Sequence, residues 1–394
     1  MLWIRRSSRR IRAQLLPFPL APPAASTAFN SIAKRCRFEM IHSTSRDDLQ
    51  NSGISSSEPS LLPSPGSSRV HPTAIVHSQA TIGEYVSIGP FCSVGPGAKL
   101  GSGCTLHPNS HIFGNTHIGD NSTLFPCVAT KRSFHKRHFS FSLSSIDHRG
   151  AIVGADIPGE TVIGKNNSIG CYAVVGVKCQ DLKYKDADEC FLRIGDNNDI
   201  REHASVHRSS KSTDSTIIGD SNLIMGACHI AHDVKLGNSN ILANGTLLGG
   251  HVVVENCIHT GGGAAVHQFC HIGSYSFLAG GSMVDRDVPM YMMVAGNRAE
   301  LRGLNLEGLR RRGFSEIEVN SLRRAYQRLF VNSDENAGGI DDRLAILDLD
   351  AKLSKVEVVL QMIKSVRDCF GENRRGLCKF RQVTGIIDNA IDIP

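Results

Sequence analysis

The 394 residues include 38 glycines and only 6% aromatics, which argues against an ordinary α/β core built on large rings and fits a fold with many tight turns. Twelve cysteines with no Cys-x-x-Cys spacing exclude a zinc ribbon or a dense disulfide framework and point to reduced thiols inside a cell. The net charge of +6 belongs to one end: residues 1–46 hold eight arginines, Lys34 and the single acid Glu39, a local +8 that leaves −2 for the rest and gives no reason to expect nucleic acid.

That first stretch is rich in Arg, Ser and Ala and nearly free of acids, the composition of an organelle transit peptide, with the mitochondrion expected and the plastid as the alternative. Its apolar part, Leu15 to Ala25, is broken by four prolines and cannot cross a bilayer as a helix. No later run is apolar enough for a transmembrane segment. Residues 47–69 are rich in Ser and Pro and read as a disordered linker.

From Val70 every sixth residue is aliphatic: Val70, Val76, Ile82, Ile88, Val94, Leu100, Leu106, Ile112, Ile118 and Leu124. The series resumes at Ile157, Ile163, Ile169 and Val175, and again at Ile194, holding phase to Val284 with only Ser212 and Thr260 breaking it. A period of six is neither helical nor a plain alternation. It is the signature of a left-handed parallel β-helix of hexapeptide repeats, an all-β prism in which three short strands make one coil of about 18 residues. The residue four after each aliphatic is usually small (Ala80, Cys92, Ala98, Cys104, Ser110), as a narrow interior requires. Gly often follows the aliphatic (Gly83, Gly89, Gly95, Gly101, Gly164, Gly170, Gly237, Gly273) and is expected to ease the corner. About ten stacked coils would span roughly 45–50 Å. Flat-faced prisms of this kind usually associate as trimers, so a homotrimer is expected.

The prism is assigned to residues 70–292, with two insertions. Residues 128–152, carrying Lys131, Arg132, His135, Lys136, Arg137 and His138, break the phase and read as a surface loop or an aberrantly spliced product. Residues 177–192 leave the coil as a loop. After Pro289 the aliphatics recur at three to five residues, so residues 293–394 are expected to form an α-helical domain.

Between Gly219 and Phe269 stand His229-Ile-Ala-His232-Asp233, Gly249-Gly250-His251 and Ala265-Val-His267-Gln268-Phe269-Cys270. Upstream is Gln180-Asp181-Leu-Lys183-Tyr184, and downstream Asn305-Leu-Glu307-Gly308-Leu-Arg310-Arg311-Arg312-Gly313-Phe314. In order and spacing these blocks resemble the UDP-N-acetylglucosamine O-acyltransferases of lipid A synthesis, over roughly residues 70–385. The resemblance implies transfer of a 3-hydroxyacyl chain from acyl carrier protein, on its phosphopantetheine arm, to the sugar 3-hydroxyl, with no cofactor and no metal. A sugar hydroxyl is a poor nucleophile at neutral pH and needs a positioned base. His232 is the implied base, Asp233 its paired carboxylate, and the Gly250 backbone N–H the donor to the developing oxyanion. Because adjacent strand residues point oppositely, His232 and Asp233 can meet only at a corner or bend. The same carry-over places His229, His251, His267 and Gln268 on the sugar nucleotide or the acyl linkage, and Gln180, Asp181 and Lys183 on sugar and uridine. Asn305, Glu307, Arg311 and Arg312 would hold the nucleotide end, the arginines facing phosphate. Gly280 falls where the family sets chain length, and a glycine there implies a long acyl chain. Acyl carrier protein is acidic, and the basic run Arg310 to Arg312 with Arg323, Arg324 and Arg328 suits it, Arg323 being the expected direct contact.

Two other classes were weighed on the residues. A zinc enzyme like the γ-class carbonic anhydrases needs a His-x-x-x-x-His pair, and the prism has none. A catalytically silent scaffold would have no use for the histidines, which lie one to three residues after an interior aliphatic and therefore outside the core. His71, His77, His107, His111 and His117 read as ordinary surface residues. An N-acyltransferase acting later in the same pathway needs an N-terminal uridine-binding globule for which residues 47–69 leave no room. A coenzyme A-dependent acetyltransferase needs neither the arginine block nor the helical tail.

Overall fold

The computed structural model describes residues 67–126, 150–185, 187–331 and 338–380. The expected transit peptide, most of the linker, the basic residues of the first insertion and the last 14 residues lie outside the described residues. Strands of mostly two residues stack into three sheets of 13, 10 and 9 strands. Each strand pairs in parallel with the one a full turn later, as Arg69 with Ser87, Ile75 with Ser93 and Thr81 with Lys99. This is the left-handed parallel β-helix that the period of six requires.

The repeated aliphatics point inward. Ile88, Leu106, Leu124, Ile169, Ile200, Ile224 and Leu242 form one buried column, Val94, Ile112, Val175, Val206, Ile230 and Leu248 a second, and Leu100, Ile118, Ile163, Ile194, Ile218 and Leu236 the third. Each such side chain contributes about 1.5–3 kcal/mol when removed from water. The small residues four places on fill the corners of the interior, where Ala98, Cys104, Ser110 and Thr116 are fully buried. Along one corner this slot holds asparagines. The Oδ1 atoms of Asn167, Asn198, Asn222 and Asn240 accept the backbone N–H of Asn198, Asn222, Asn240 and Ile258 at 2.9, 2.9, 2.9 and 2.8 Å, a buried ladder that satisfies its own polar groups.

The corners turn differently from expectation. The left-handed residue is the third after the aliphatic, as at Tyr85, Asn109, Asn121, Tyr172, Asn197 and Ser221. The glycine directly after the aliphatic is instead required by coil stacking. A Cβ on Gly83 would lie 2.7 Å from the Ser102 nitrogen, one on Gly237 2.6 Å from the Glu255 oxygen, and one on Gly273 2.5 Å from the Met290 nitrogen.

Three boundaries move. The first insertion ends earlier than residue 152, because Ile152–Val153 is already a strand paired with His111 and Ile112. The interior slot after the insertion is therefore Val153 rather than Ile157, which is only half-buried. The second insertion is shorter than 177–192, since Val174–Val177 and Cys190–Ile194 are both strands. The last domain does not start helical at residue 293. Met292–Ala295 extends the first sheet in parallel, and Glu300–Leu304 folds back on it antiparallel. Burial alternates along Met292–Ala295, the period of a strand, and the α-helices begin only at Leu306.

Among the described residues four α-helices follow: α1 (Leu306–Arg311), α2 (Glu316–Tyr326), α3 (Ile340–Asp348) and α4 (Glu357–Asp368). Ser315 and Glu318 form a capping box that starts α2. Helix α4 buries Val359, Met362, Ile363 and Val366. The helices are tied to the prism by Tyr291 Oη donating to Gln361 at 2.6 Å and by Arg374 pairing with the buried Asp287 at 2.7 Å. Among the described residues no helix is long and apolar enough to cross a membrane.

Candidate active site

The corner between the ten-stranded and nine-stranded sheets departs most from the regular coil. The chain crosses it from Val153 to Ile163, from Val175 to Ile194 and from Val206 to Ile218, each wider than six residues, before returning to six at Ile230–Leu236. The wide crossings include the loop with Gln180, Asp181 and Lys183, and a strap from Arg208 to Ser215. His232 and Asp233 come next on the same corner, followed one coil later by Gly250 and His251 and one more by Gln268 and Phe269.

Asp233, His251 and Phe269 occupy the left-handed corner position, with φ of 60°, 59° and 66°. That bend lets neighbouring side chains meet. His232 Nδ1 lies 2.8 Å from Asp233 Oδ2, and His251 Nε2 lies 3.6 Å from the same oxygen. The Asp233 side chain is fully buried, whereas His232 retains 14% exposure. Ser210 donates its hydroxyl to Oδ2 at 2.6 Å and its backbone N–H at 3.1 Å, and the Asp233 N–H is accepted by Thr216 Oγ1 at 2.9 Å. Burial alone would raise the Asp233 carboxyl. The hydrogen bonds from His232 and Ser210 outweigh it and hold the group below the ordinary carboxylate range.

Gly250 is pressed against the imidazole: a Cβ there would lie 2.5 Å from Cε1 and 2.6 Å from Nε2 of His232. The His251 ring meets that of His232 edge-on at 5.2 Å and stacks on Phe269 at 4.7 Å. Burial lowers the His251 imidazole, against the opposing pull of Asp233. His229 faces outward beside the corner, its Nδ1 2.7 Å from Ser205 Oγ, and is lowered by burial and then by His232. His267 and Gln268 are exposed at the edge, with His267 Nδ1 3.1 Å from the Gln268 carbonyl. In the loop, Asp181 Oδ1 accepts the Lys183 N–H at 2.9 Å, and Gln180 and Lys183 are exposed.

Other expected residues lie elsewhere. Asn305, Glu307, Arg311, Arg312 and Arg323 line a cavity of ≈1240 Å³ at the opposite edge of the nine-stranded sheet, where the helices cover the first sheet. Asn305 caps α1 and donates to the Tyr275 carbonyl at 2.8 Å. Glu307 pairs with Arg310 at 2.8 Å and Arg311 at 2.7 Å, which pulls its carboxyl down to about 2. Arg312 donates to the Ser239 carbonyl at 3.0 Å. Gly280 is on the third corner, where a Cβ would lie 3.3 Å from the Gly262 oxygen. Within one chain, therefore, neither the arginines nor Gly280 reach His232.

Sequence reading passed over several residues. Ser210 and Thr216 hold Asp233 as described. His207 is buried beside His229, at 4.8 Å between ring centres, and burial with His229 and His232 nearby pushes it down to about 4. Arg208 is fully buried, its Nε donating to Thr161 Oγ1 at 2.8 Å. The one signal was Ser212, read as a broken interior slot. It is exposed, because the chain bulges outward there by six residues and so keeps its phase.

His232, Asp233 and His251 also offer ligand atoms within 4.8 Å of one another. Oδ2 already accepts from His232 and Ser210, so a cation bound through that oxygen would compete with both bonds. The arrangement suits instead a neutral imidazole whose Nδ1–H is held by a buried carboxylate, leaving Nε2 to accept a proton.

The chain is similar in sequence and fold to known acyltransferases. Residues 287–378 match the family model described as UDP N-acetylglucosamine O-acyltransferase, domain 2, and residues 79–114 match the bacterial transferase hexapeptide model of six repeats. The chain is 56% identical over 233 residues to a probable mitochondrial acyl-[acyl-carrier-protein]–UDP-N-acetylglucosamine O-acyltransferase of Arabidopsis thaliana, covering 59% of this chain and 69% of that one. A Pseudomonas savastanoi acyl-[acyl-carrier-protein]–UDP-N-acetylglucosamine O-acyltransferase is 43% identical over 202 residues, 51% of this chain and 77% of its own. The crystal structure of Arabidopsis UDP-N-acetylglucosamine acyltransferase superposes with a TM-score of 0.72 at 55% identity, over 79% of this chain and all of that one. The Francisella novicida acyltransferase gives 0.58 at 30% identity, over 79% and 94% of the two chains.

Proposed function

The chain belongs to the UDP-N-acetylglucosamine O-acyltransferase family, and from that premise we infer how its residues carry out the reaction. It transfers an acyl chain from acyl carrier protein to UDP-N-acetylglucosamine, the first step of lipid A synthesis. His232 is the general base. Its Nδ1–H is held on Asp233, so Nε2 takes the proton from the sugar 3-hydroxyl as that oxygen attacks the thioester carbonyl of a 3-hydroxyacyl chain. The carbonyl oxygen gains negative charge, and the Gly250 backbone N–H stabilises it. Collapse of the adduct expels the thiolate of the phosphopantetheine arm, and His232 returns the proton to it. The thioester supplies the driving force, so no metal or further cofactor is needed.

Gln180, Asp181 and Lys183, with His229, His251, His267 and Gln268, bind the acceptor and the acyl linkage around this corner. Asn305, Glu307, Arg311 and Arg312 bind the nucleotide end, and Arg323 contacts the acidic carrier. The separation of these groups within one chain supports a homotrimer in which neighbouring subunits complete each site. The outward face of the ten-stranded sheet supports it too, with Leu247 and Met283 each 47% exposed. Gly280 leaves space for a long acyl chain. The Arg-rich, acid-poor first 46 residues and the mitochondrial Arabidopsis relative support import into the mitochondrion.

The observation that carries the mechanism is the His232–Asp233 contact at 2.8 Å against Gly250. The test is an acyl-transfer assay with UDP-N-acetylglucosamine and 3-hydroxyacyl carrier proteins of several lengths. His232→Ala is expected to lower kcat by about 10³-fold or more with the fold intact. Retained turnover in that variant removes His232 from the role of base.

A further inference from the structure

We propose that Ser210 is a positioning residue for the catalytic pair, its hydroxyl setting how tightly Asp233 holds the His232 imidazole. The inference rests on the reading of His232 as base. Asp233 Oδ2 is shared: it faces His232 Nδ1 at 2.8 Å and His251 Nε2 at 3.6 Å and accepts the Ser210 hydroxyl at 2.6 Å. The other titratable groups around this cluster are His207, His229, Lys211 and Asp214. The Ser210 N–H reaches the same oxygen at 3.1 Å and Oδ1 at 3.3 Å. Donors on one carboxylate oxygen compete for its charge, so each weakens the hold on the others.

Ser210 is in turn fixed from the other side. Along the strap, Arg208 donates its N–H to the Val177 carbonyl at 3.0 Å, and Ser209 donates to Phe191 at 3.0 Å. The Phe191 N–H returns to Ser209 Oγ at 2.9 Å. Val177 and Phe191 are the two feet of the loop carrying Gln180, Asp181 and Lys183. One strap therefore joins the feet of the acceptor loop to the catalytic carboxylate.

A base must be neutral to accept a proton. With the Ser210 hydroxyl removed, Oδ2 concentrates its charge on the imidazole and favours the protonated ring, so activity should fail at a higher pH on the acid side. The hydroxyl also fixes where Oδ2 sits, so without it the ring is aimed less well and kcat should fall more than KM for the sugar nucleotide changes. A residue that merely filled space would move neither the pH profile nor this split.

The experiment measures kcat, KM and the pH dependence of kcat/KM for the full chain and for Ser210→Ala, Ser210→Thr and Ser209→Ala. Loss of a hydrogen bond to a charged group predicts a fall in kcat of about tenfold or more in Ser210→Ala, with the acid limb about half a pH unit higher. Ser210→Thr keeps the hydroxyl and should restore both. Ser209→Ala frees a loop foot without touching Asp233 and should leave the acid limb in place. Wild-type kcat and acid limb in Ser210→Ala overturn the proposal, as does an equal shift of the limb in Ser209→Ala. If Ser210→Ala does not fold, Ser210→Cys, a weaker donor of similar volume, carries the same expectation. The pH dependence of diethyl pyrocarbonate modification at His232, read by mass spectrometry, is independent of turnover. It should move upward in Ser210→Ala even if the acyl-transfer reading fails, and an unchanged profile sinks the Ser210 role alone.

Discussion

At Asp233 the backbone adopts φ of 60°, a conformation that side chains other than glycine rarely take. The hexapeptide corner imposes it on one residue in every six, and at this corner it turns a carboxylate onto the ring beside it. Gly250 shows the complementary constraint. Alanine there would place Cβ 2.6 Å from His232 Nε2, the atom proposed to accept the proton. Gly250→Ala should therefore lower kcat by about 10²-fold or more, as displacing a catalytic group does, while its melting temperature stays close to that of wild type. A variant as active as wild type would mean that the ring moves aside without cost. His207 gives a pH prediction. Its imidazole is held down to about 4 by burial, against about 6.5 for a free ring. The unfolded chain therefore binds a proton between these values and the folded chain does not. The folded state is at full strength above about pH 6.5 and loses about 2–3 kcal/mol as pH falls to about 4. Urea titrations from pH 7 to 4 should show a shallower slope in His207→Gln than in wild type, the remainder coming from His229, His251 and the other imidazoles lowered by burial.

The coil was legible because its rule is local. An interior slot recurs every six residues, and a chain that stacks on itself every 18 residues repeats the same demand at each turn. Ile88 to Leu124 and, Ser212 apart, Ile194 to Val284 could be assigned to the interior without any long-range information, whereas Val70, on the first and uncovered coil, is 48% exposed. The reason for the glycine beside each aliphatic was not legible, because the clash it avoids is with the next coil, as between Gly237 and Glu255. Gly237→Ala should cost about 1–3 kcal/mol, since an overpacked backbone contact must shift, and calorimetry should show a melting temperature lower by several degrees. An unchanged melting temperature would show that the coils separate freely. His232, Asp233, Gly250 and His251, which meet at one corner, could be picked out by type and order, but the network that holds them could not. Ser210 meets Asp233 across 23 residues, from a strap whose six extra residues leave the phase intact. The short strands Met292–Ala295 and Glu300–Leu304 were missed because the helical spacing that begins at Leu306 was extended back to residue 293.

On the scale of the molecule, the nine-stranded sheet separates two half-sites. Along one edge lie the loop, the strap and the histidines, and along the other the cavity with Arg311 and Arg323. On the proposed assignment a sugar nucleotide touches both, and a single prism keeps them on different corners. A cyclic trimer resolves this, because its heterologous interfaces bring one corner of each chain against a different corner of its neighbour. Sedimentation should accordingly give a trimer and no stable monomer. Complementation tests the sharing directly. His232→Ala trimers and Arg311→Ala trimers should each be nearly inactive. In trimers formed by co-expressing the two variants, a site is intact when its histidine comes from the arginine variant and its arginine from the histidine variant. With random mixing at equal amounts, about a quarter of the sites in such a heterologous ring meet both conditions. Activity near a quarter of wild type, absent when the separately purified proteins are mixed without exchanging subunits, is the expected result. Mixed trimers no more active than the parents would place His232 and Arg311 in a site belonging to one chain, and the division of labour across the interface would fail.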